Sequence, residues 1–385
     1  MTDRRTDEQF LQRALDLARQ GIGLASPNPY VGAVIVDPHG SIAGEGTYTY
    51  ENVKHAEVRA LEEAGSSAPG GTLYINLEPH AHQGRTPPCT DALIAAGIDR
   101  VVACMRDPNP EVSGRGFEKL RAAGIHVEVG GLEAEARRLN EGFARYIRHG
   151  VPLVTLKAAM TLDGKIAPPP GMASKGEVGT PAGGWITGES ARAHVQRQRH
   201  ESDAILAGVG TILADDPLLT DRSGEPRRRP LLRVILDSRL RLPLDSRLVR
   251  SCADDVLVFC RSGEEKKKNE LAARGIRVEQ IAGAPTSSGR PDIHVVLRRL
   301  GELEIASVLI EGGAAVNGSA LAAGVVDKVF FYYAPRIMGD EQAVGFASGY
   351  AQHETSQRLR VHQVQLHRFG EDVAVEGYLR DPYAD

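Results

Sequence analysis

The residues best suited to chemistry sit in three short stretches. They are His55 and Glu57 in "KHAEV", His80 in "LEPH", and Cys89 in "TPPC". Two imidazoles and a thiolate form a zinc donor set, and three protein ligands leave a fourth position for water. A metal so held lowers that water's pKa to about 7, which makes hydroxide available at neutral pH. A carboxylate that is not a ligand can then move protons between hydroxide, a ring nitrogen and departing ammonia. Glu57 is two residues from His55, so one helical turn would supply both a ligand and that carboxylate.

The general signature of zinc-dependent base deamination is His-x-Glu followed by Pro-Cys-x-x-Cys. Here the second half reads Pro79-His80, then eight residues, then Cys89. Each piece is weak alone; the three in order predict a zinc centre of His55, His80 and Cys89 with Glu57 as proton shuttle. His82 is a rival ligand, and His80 is preferred because it directly follows Glu-Pro. Imidazole in place of a second thiolate leaves the ligand set with one negative charge against Zn2+, so a stronger Lewis acid is expected.

Such a centre needs strands and helices whose ends converge. Residues 9–20, "QFLQRALDLARQ", have helical apolar spacing ended by Gly21. "VGAVIV" (31–36) reads as a buried strand, and "DPHG" turns into a second strand near Ile42. "HAEVRALEEAG" reads as a helix with Val58, Leu61 and Ala64 inward and Gly65 as its stop, "TLYINL" (72–77) as a strand, and "PPCTDALIAAG" (87–97) as a helix with proline in its first turn. "RVVAC", "GFEKLRAAG" and "HVEVG" continue as strand, helix and strand. In a helix-flanked sheet, strand C-termini and the helix starts after them gather at one edge. A thiolate at a helix start is also favoured by the helix dipole. Cys104 sits in an apolar strand and reads as core.

The chain has 385 residues, enough for two domains, with 42% hydrophobic and 25% charged residues. A helix ending near Gly150 and a new strand after Pro152 place the boundary there, giving domains of 1–150 and 151–385. The α/β rhythm then restarts through "SDAILAG", "LLRVILD", "DVLVFC", "IRVEQI", "ASVLIEGG" and "VVDKVFFYYAP". Residues 167–184, rich in proline and glycine, read as a long loop, a functional lid or a mobile insertion. The net charge of −4 and 5% aromatic content argue against a dedicated nucleic-acid binder. The basic runs Arg227–Arg229 and Lys266–Lys268 are expected on solvated loops or helix faces. Four cysteines make no disulfide framework for this length, and no signal peptide or membrane span is visible. A cytoplasmic protein is expected.

"GVGTIL" (208–213) lacks the third glycine of a dinucleotide fingerprint, as do "GEGTYT" and "GIGLAS", so a Rossmann domain is not expected. Still, "ILAGVGT" and "LIEGGAAVNGS" each run from strand through glycine into a helix start, where backbone N–H groups can cradle phosphate.

"SPNPYVGAVIV", "HAEVRAL", "LEPHAHQGRTPPCTDALIAAGI", "LKAAMTLDGKIA", "WITGESAR", "DAILAGVGTILADDPLLT", "VILDSRL" and "VLIEGGAAVNGSAL" together resemble the bifunctional riboflavin-biosynthesis deaminase–reductases, in matching order over almost the whole chain. The resemblance implies an N-terminal cytidine-deaminase-like three-layer α/β domain and a C-terminal dihydrofolate-reductase-like α/β domain. The first would hydrolyse the 2-amino group of a diaminopyrimidine ribosylamine phosphate; the second would reduce the ribosyl group to ribityl with NADPH. It implies that Asn28 helps bind the pyrimidine. It also implies that Lys157, Gly183, Arg199, Leu219, Arg222 and Glu311 meet the reductase substrate. Ala159, Trp185, Thr211, Asp215, Ser238 and the run Gly313, Ala314, Ala315, Val316, Asn317, Gly318 and Ser319 would meet NADPH. Arg199 and Arg222 suit a phosphate, which guanidinium forks bind bidentately. Asp163 and Asp215 are candidate proton donors for the reduction.

The sequence departs from the family pattern at His80, where cysteine is usual, at Arg59, where asparagine is usual, and in the length of the loop before Trp185. Two other readings are a reductase with an inactive N-terminal domain and a nucleotide-binding regulatory module. Glu57 discriminates, because a closed structural zinc site needs no shuttle carboxylate. Enzymes of this kind are expected as symmetric homo-oligomers acting on small molecules.

Overall fold

The computed structural model describes residues 4–83, 87–169, 172, 184–281, 289–349 and 359–384. The chain forms two compact units, Met1–His149 with Pro226–Arg229, and Gly150–Glu225 with Pro230–Ala384.

The first unit runs α1 (Arg4–Arg19), β1 (Gly32–Val36), β2 (Ile42–Thr47), α2 (Ala56–Ala64), β3 (Thr72–Ile75), α3 (Cys89–Ala95), β4 (Arg100–Ala103), α4 (Arg115–Ala122), β5 (His126–Val129), α5 (Glu133–Leu139) and α6 (Glu141–His149). Its sheet has the order β2-β1-β3-β4-β5, antiparallel at β1 and parallel from β3 to β5. Alternation along the strands makes three layers. Ala33, Ile35, Leu73, Ile75, Val101 and Ala103 pack into one core with Ala60, Leu93 and Phe117 from α2, α3 and α4. From the opposite face, Gly32 lies against the α1 backbone and Tyr74 against Phe10.

The inward face of α2 differs in part from the sequence expectation. Ala56, Ala60 and Ala64 are buried with Glu57, while Val58 and Leu61 are only half-buried. The reason lies on β2, where a Cβ at Gly46 would collide with the Ala56 carbonyl and one at Gly44 with that of Ala60. Glycine on the strand and alanine on the helix let the two backbones approach closely, which excludes larger side chains from the contact.

The second unit contains β6 (Leu153–Thr161), β7 (Lys165–Ala167), α7 (Glu189–Glu201), β8 (Ala204–Gly208), α8 (Val209–Asp215), β9 (Leu232–Leu236), α9 (Arg247–Arg250), β10 (Val256–Cys260), α10 (Glu265–Ala272), β11 (Arg277–Gln280), α11 (Ile293–Glu302), β12 (Ser307–Ile310), α12 (Ala314–Ala322), β13 (Lys328–Ala334), β14 (Val344–Gly345), β15 (His362–Phe369) and β16 (Asp372–Tyr378). Among the described residues its main sheet is nine-stranded, β11-β10-β9-β8-β12-β6-β13-β16-β15. The strands from β11 to β13 are parallel, and β16 and β15 close it as an antiparallel hairpin. The sequence reading finds no strand beyond "VVDKVFFYYAP", because β15 is polar at most positions and largely exposed. Because β12 lies between β8 and β6, the two glycine-bearing strand ends are neighbours. Lys266–Lys268 lie on α10. Among the described residues no helix is long and apolar enough to cross a membrane.

Candidate functional site

His55, Glu57, His80 and Cys89 converge. One ligand atom from each lies within 4.8 Å of those of the others. His55 caps α2 in an extended conformation, and Glu57 follows in the first turn, 3% exposed. Cys89 opens α3 after Pro88, which caps the helix rather than entering it. The Cys89 Sγ lies 3.3 Å from Nδ1 of His55, and the His55 and His80 ring centroids are 4.4 Å apart. His82 packs edge-on against His80 at 5.2 Å and is not in the group.

The segment between β3 and His80 is held by two buried polar side chains. Asn76 accepts from the Gly32 N–H at 2.9 Å and donates to the Tyr30 carbonyl at 2.8 Å. The Glu78 carboxylate accepts from the backbone N–H groups of Asp107, Gly114, Gly116 and Phe117 at 2.8–3.3 Å. These charge-assisted hydrogen bonds tie the surrounding loops to the strand exit. Burial, and then the neighbouring Glu57 carboxylate, push the Cys89 thiol far above its ordinary range. A thiolate there therefore requires a cation among the donors, and the N/S donor set suits zinc.

A cavity of about 270 Å³ opens beside this group, lined by Asn28, Tyr48, Tyr50, Glu57, His80 and Asp107 among others. Asn28 donates to the Tyr48 hydroxyl at 2.6 Å, and the Tyr48 ring meets His55 edge-on. Asp107 is pushed up to about 6 by burial and by Glu78, against a backbone hydrogen bond from Asn109. Tyr48, Asp107 and Asn109 were missed from sequence. A signal existed in the second Pro-Asn-Pro, at 108–110, which echoes the one around Asn28. Arg59 donates to the Thr47 carbonyl at 2.7 Å and so ties α2 to β2.

In the second unit, Glu311 follows β12 and is gripped by Arg199 through two hydrogen bonds of 2.6 and 3.0 Å, with Lys157 at 3.6 Å. Burial alone would raise its pKa, but the two cations hold it at about 2. Arg199 also donates to the Thr220 carbonyl at 2.8 Å. Its fork is therefore engaged internally, unlike the open phosphate fork that the sequence suggests. Arg222 is exposed beside the cations Arg199 and Arg247, which makes a cationic rim. Leu219 is buried with a positive φ of 55°.

The two glycine turns meet: a Cβ on Gly208 or Gly312 would press on Val316, and one on Gly313 would reach Thr211. Gly313 caps α12, which carries Ala314, Ala315, Val316, Asn317, Gly318 and Ser319. Asn317 donates to the Phe346 carbonyl at 2.7 Å, and Ser319 accepts from Arg290 at 3.0 Å. Ala159 lies in β6 opposite Tyr332, Asp215 ends α8, and the Ser238 carbonyl accepts from Arg261 and Ser262. Trp185 is 44% exposed with Arg192 over its ring. Gly183 and most of the expected lid lie outside the described residues. Asp163 accepts from Thr161, Met338 and Gly339, and these hydrogen bonds favour its ionised carboxylate.

Fold and site together define an enzyme that joins a zinc-dependent deaminase to a reductase. Residues 4–105 match the family described as "Cytidine and deoxycytidylate deaminase zinc-binding region". Residues 152–375 match "RibD C-terminal domain". The riboflavin biosynthesis protein RibD of Aquifex aeolicus is 40% identical over 97% of this chain and 98% of its own. That of Actinobacillus pleuropneumoniae is 39% identical over 98% and 96%. Among solved structures, Acinetobacter baumannii RibD is 35% identical with a TM-score of 0.81, covering 97% of this chain and 99% of that one. A Thermotoga maritima diaminohydroxyphosphoribosylaminopyrimidine deaminase/5-amino-6-(5-phosphoribosylamino)uracil reductase is 36% identical with a TM-score of 0.78 over the same shares. The chain belongs to the RibD family of bifunctional riboflavin-biosynthesis deaminase–reductases.

Proposed function

We propose that residues 1–150 hydrolyse the 2-amino group of 2,5-diamino-6-(5-phosphoribosylamino)pyrimidin-4-one. Residues 151–385 then reduce the ribosyl group of the resulting uracil to ribityl with NADPH. The observation that carries the first half is the four-donor cluster opening onto a cavity, with Glu57 in its wall. His55, His80 and Cys89 would hold the ion. When bound, zinc supplies a Lewis acid that makes water a nucleophile at neutral pH. Glu57 takes one proton from the attacking water at its carboxylate and delivers it to the ring nitrogen, then takes a second from the hydroxyl added to the carbon and delivers it to the leaving amine. Asn28, steadied by the Tyr48 hydroxyl, orients the pyrimidine.

In the second unit Arg222 would seat the ribosyl phosphate at the cationic rim, while the Lys157–Arg199–Glu311 group would meet the rest of the substrate. Thr211, Ser238 and the start of α12 would cradle the cofactor phosphates on backbone N–H groups, with Ala159, Trp185 and Asp215 nearby. The hydride belongs to NADPH; the chain's part is to orient the sugar and exclude water. Gly183 and Leu219 complete the substrate contacts. We further infer a cytoplasmic homo-oligomer, a dimer or tetramer.

A two-step assay tests this. Ammonia release without NADPH reports the first reaction, and NADPH oxidation on the deaminated product reports the second. Glu57→Gln is expected to lower ammonia release by about 10²–10⁴-fold, the range for a lost general acid–base, while leaving NADPH oxidation unchanged. Wild-type ammonia release by that variant would remove Glu57 from the mechanism.

A further inference from the structure

The run Arg227–Arg229 does not behave as the solvated loop its composition suggests. The segment Pro226–Arg229 packs within the first unit. The Arg228 backbone N–H donates to the Gly23 carbonyl at 2.9 Å, and its guanidinium carbon lies 3.8 Å from the centroid of the Tyr50 ring. Tyr50 lines the deaminase cavity. Its own backbone N–H donates to the Leu24 carbonyl at 3.0 Å, and that of Asn28 to the Ala25 carbonyl at 3.1 Å. Consecutive carbonyls of one loop, residues 23–25, thus anchor Arg228, Tyr50 and Asn28 on the same rim. A cation held over a ring face need not spend its N–H donors on that contact. Among the described residues those donors make no hydrogen bond or ion pair. No lysine or arginine is among the described residues lining the cavity, which carries the carboxyl groups of Glu57, Glu78 and Asp107. The cavity, at about 270 Å³, is smaller than the roughly 300–1,000 Å³ that holds a drug-sized ligand. A cavity of that size suits a pyrimidine ring better than a whole ribosylamine phosphate.

We propose that Arg228, stacked on Tyr50, binds the phosphate monoester of the deaminase substrate. This rests on the deaminase reading above. The test compares wild type, Arg228→Ala and Arg228→Lys on the phosphorylated substrate and on its dephosphorylated form. Arg228→Ala is expected to raise KM for the phosphorylated substrate by about tenfold or more, the effect of losing a charge-assisted hydrogen bond. The value of kcat, zinc content, NADPH oxidation and KM for the dephosphorylated form should not move, and Arg228→Lys should recover part of the loss. An equal loss on both substrates would mean that Arg228 merely supports Tyr50, and no loss would mean that it does not meet phosphate; either overturns the proposal. Calorimetric titration with ribose 5-phosphate separates this from failure of the deaminase reading. Even if wild type released no ammonia, Arg228→Ala should bind one ribose 5-phosphate fewer, and identical titrations would overturn the proposal.

Discussion

Cys89 in the first unit and Glu311 in the second are both deeply buried acids, and burial pushes both upward. Yet the Cys89 thiol is driven far up, while Glu311 is held at about 2. The neighbour decides: Cys89 faces the Glu57 carboxylate, whereas Glu311 faces Arg199 and Lys157. One site gathers electron-pair donors and calls for an external cation. The other supplies its own cations and is already neutralised. A desolvated acid thus reports the charge of what surrounds it, or of what is meant to be bound there.

Removing a donor from the first site breaks that contrast most severely. His80→Ala should lose zinc, measured by elemental analysis. Ammonia release should fall by more than the roughly 100-fold that loss of an outer-sphere partner alone costs. His80→Cys should retain zinc and move the acid limb of the pH–rate profile upward, since a second thiolate weakens the Lewis acid. An unmoved limb would show that the imidazole does not tune the site.

Removing the anion from the second site should come next. Glu311→Gln leaves two buried cations uncompensated, at about 3–5 kcal/mol. The thermal transition of the second unit should fall, with zinc content unchanged. Because the folded pKa of Glu311 lies below its ordinary value of 4.5, its stabilisation is present above pH 4.5 and is lost as pH falls toward 2.

The smallest effect is expected at His194, which contacts the Tyr332 hydroxyl at 2.6 Å. Burial first, then Arg197 and His367, lower its pKa to about 4. The folded state therefore disfavours the proton, so stability present above pH 6.5 should decline as pH falls toward 4. His194→Phe should flatten that decline in denaturant titrations, and an unchanged slope would place the acid sensitivity elsewhere.

The convergence of His55, Glu57, His80 and Cys89 was legible because each occupies a junction whose type is written locally: a helix start, a strand exit, a proline-led helix. The cavity wall was not, because Tyr48, Asp107 and Asn109 come from loops whose neighbours are chosen by strand order. On α2, Ala64 is buried and Leu61 packs against the core as expected, but the closest contact is made by Ala56 and Ala60 rather than Val58. Glycines on β2 instead made room for the helix backbone itself.

The sequence by itself determined donor types, the helix and strand starts that carry them, and the glycine turns of the second unit, since all depend on neighbours within a few residues. Only the tertiary structure decided that Arg199 would grip Glu311 and that Arg228 would lie on Tyr50. Those pairings join residues more than a hundred positions apart, and no local pattern encodes which charges or rings will meet once the chain is packed.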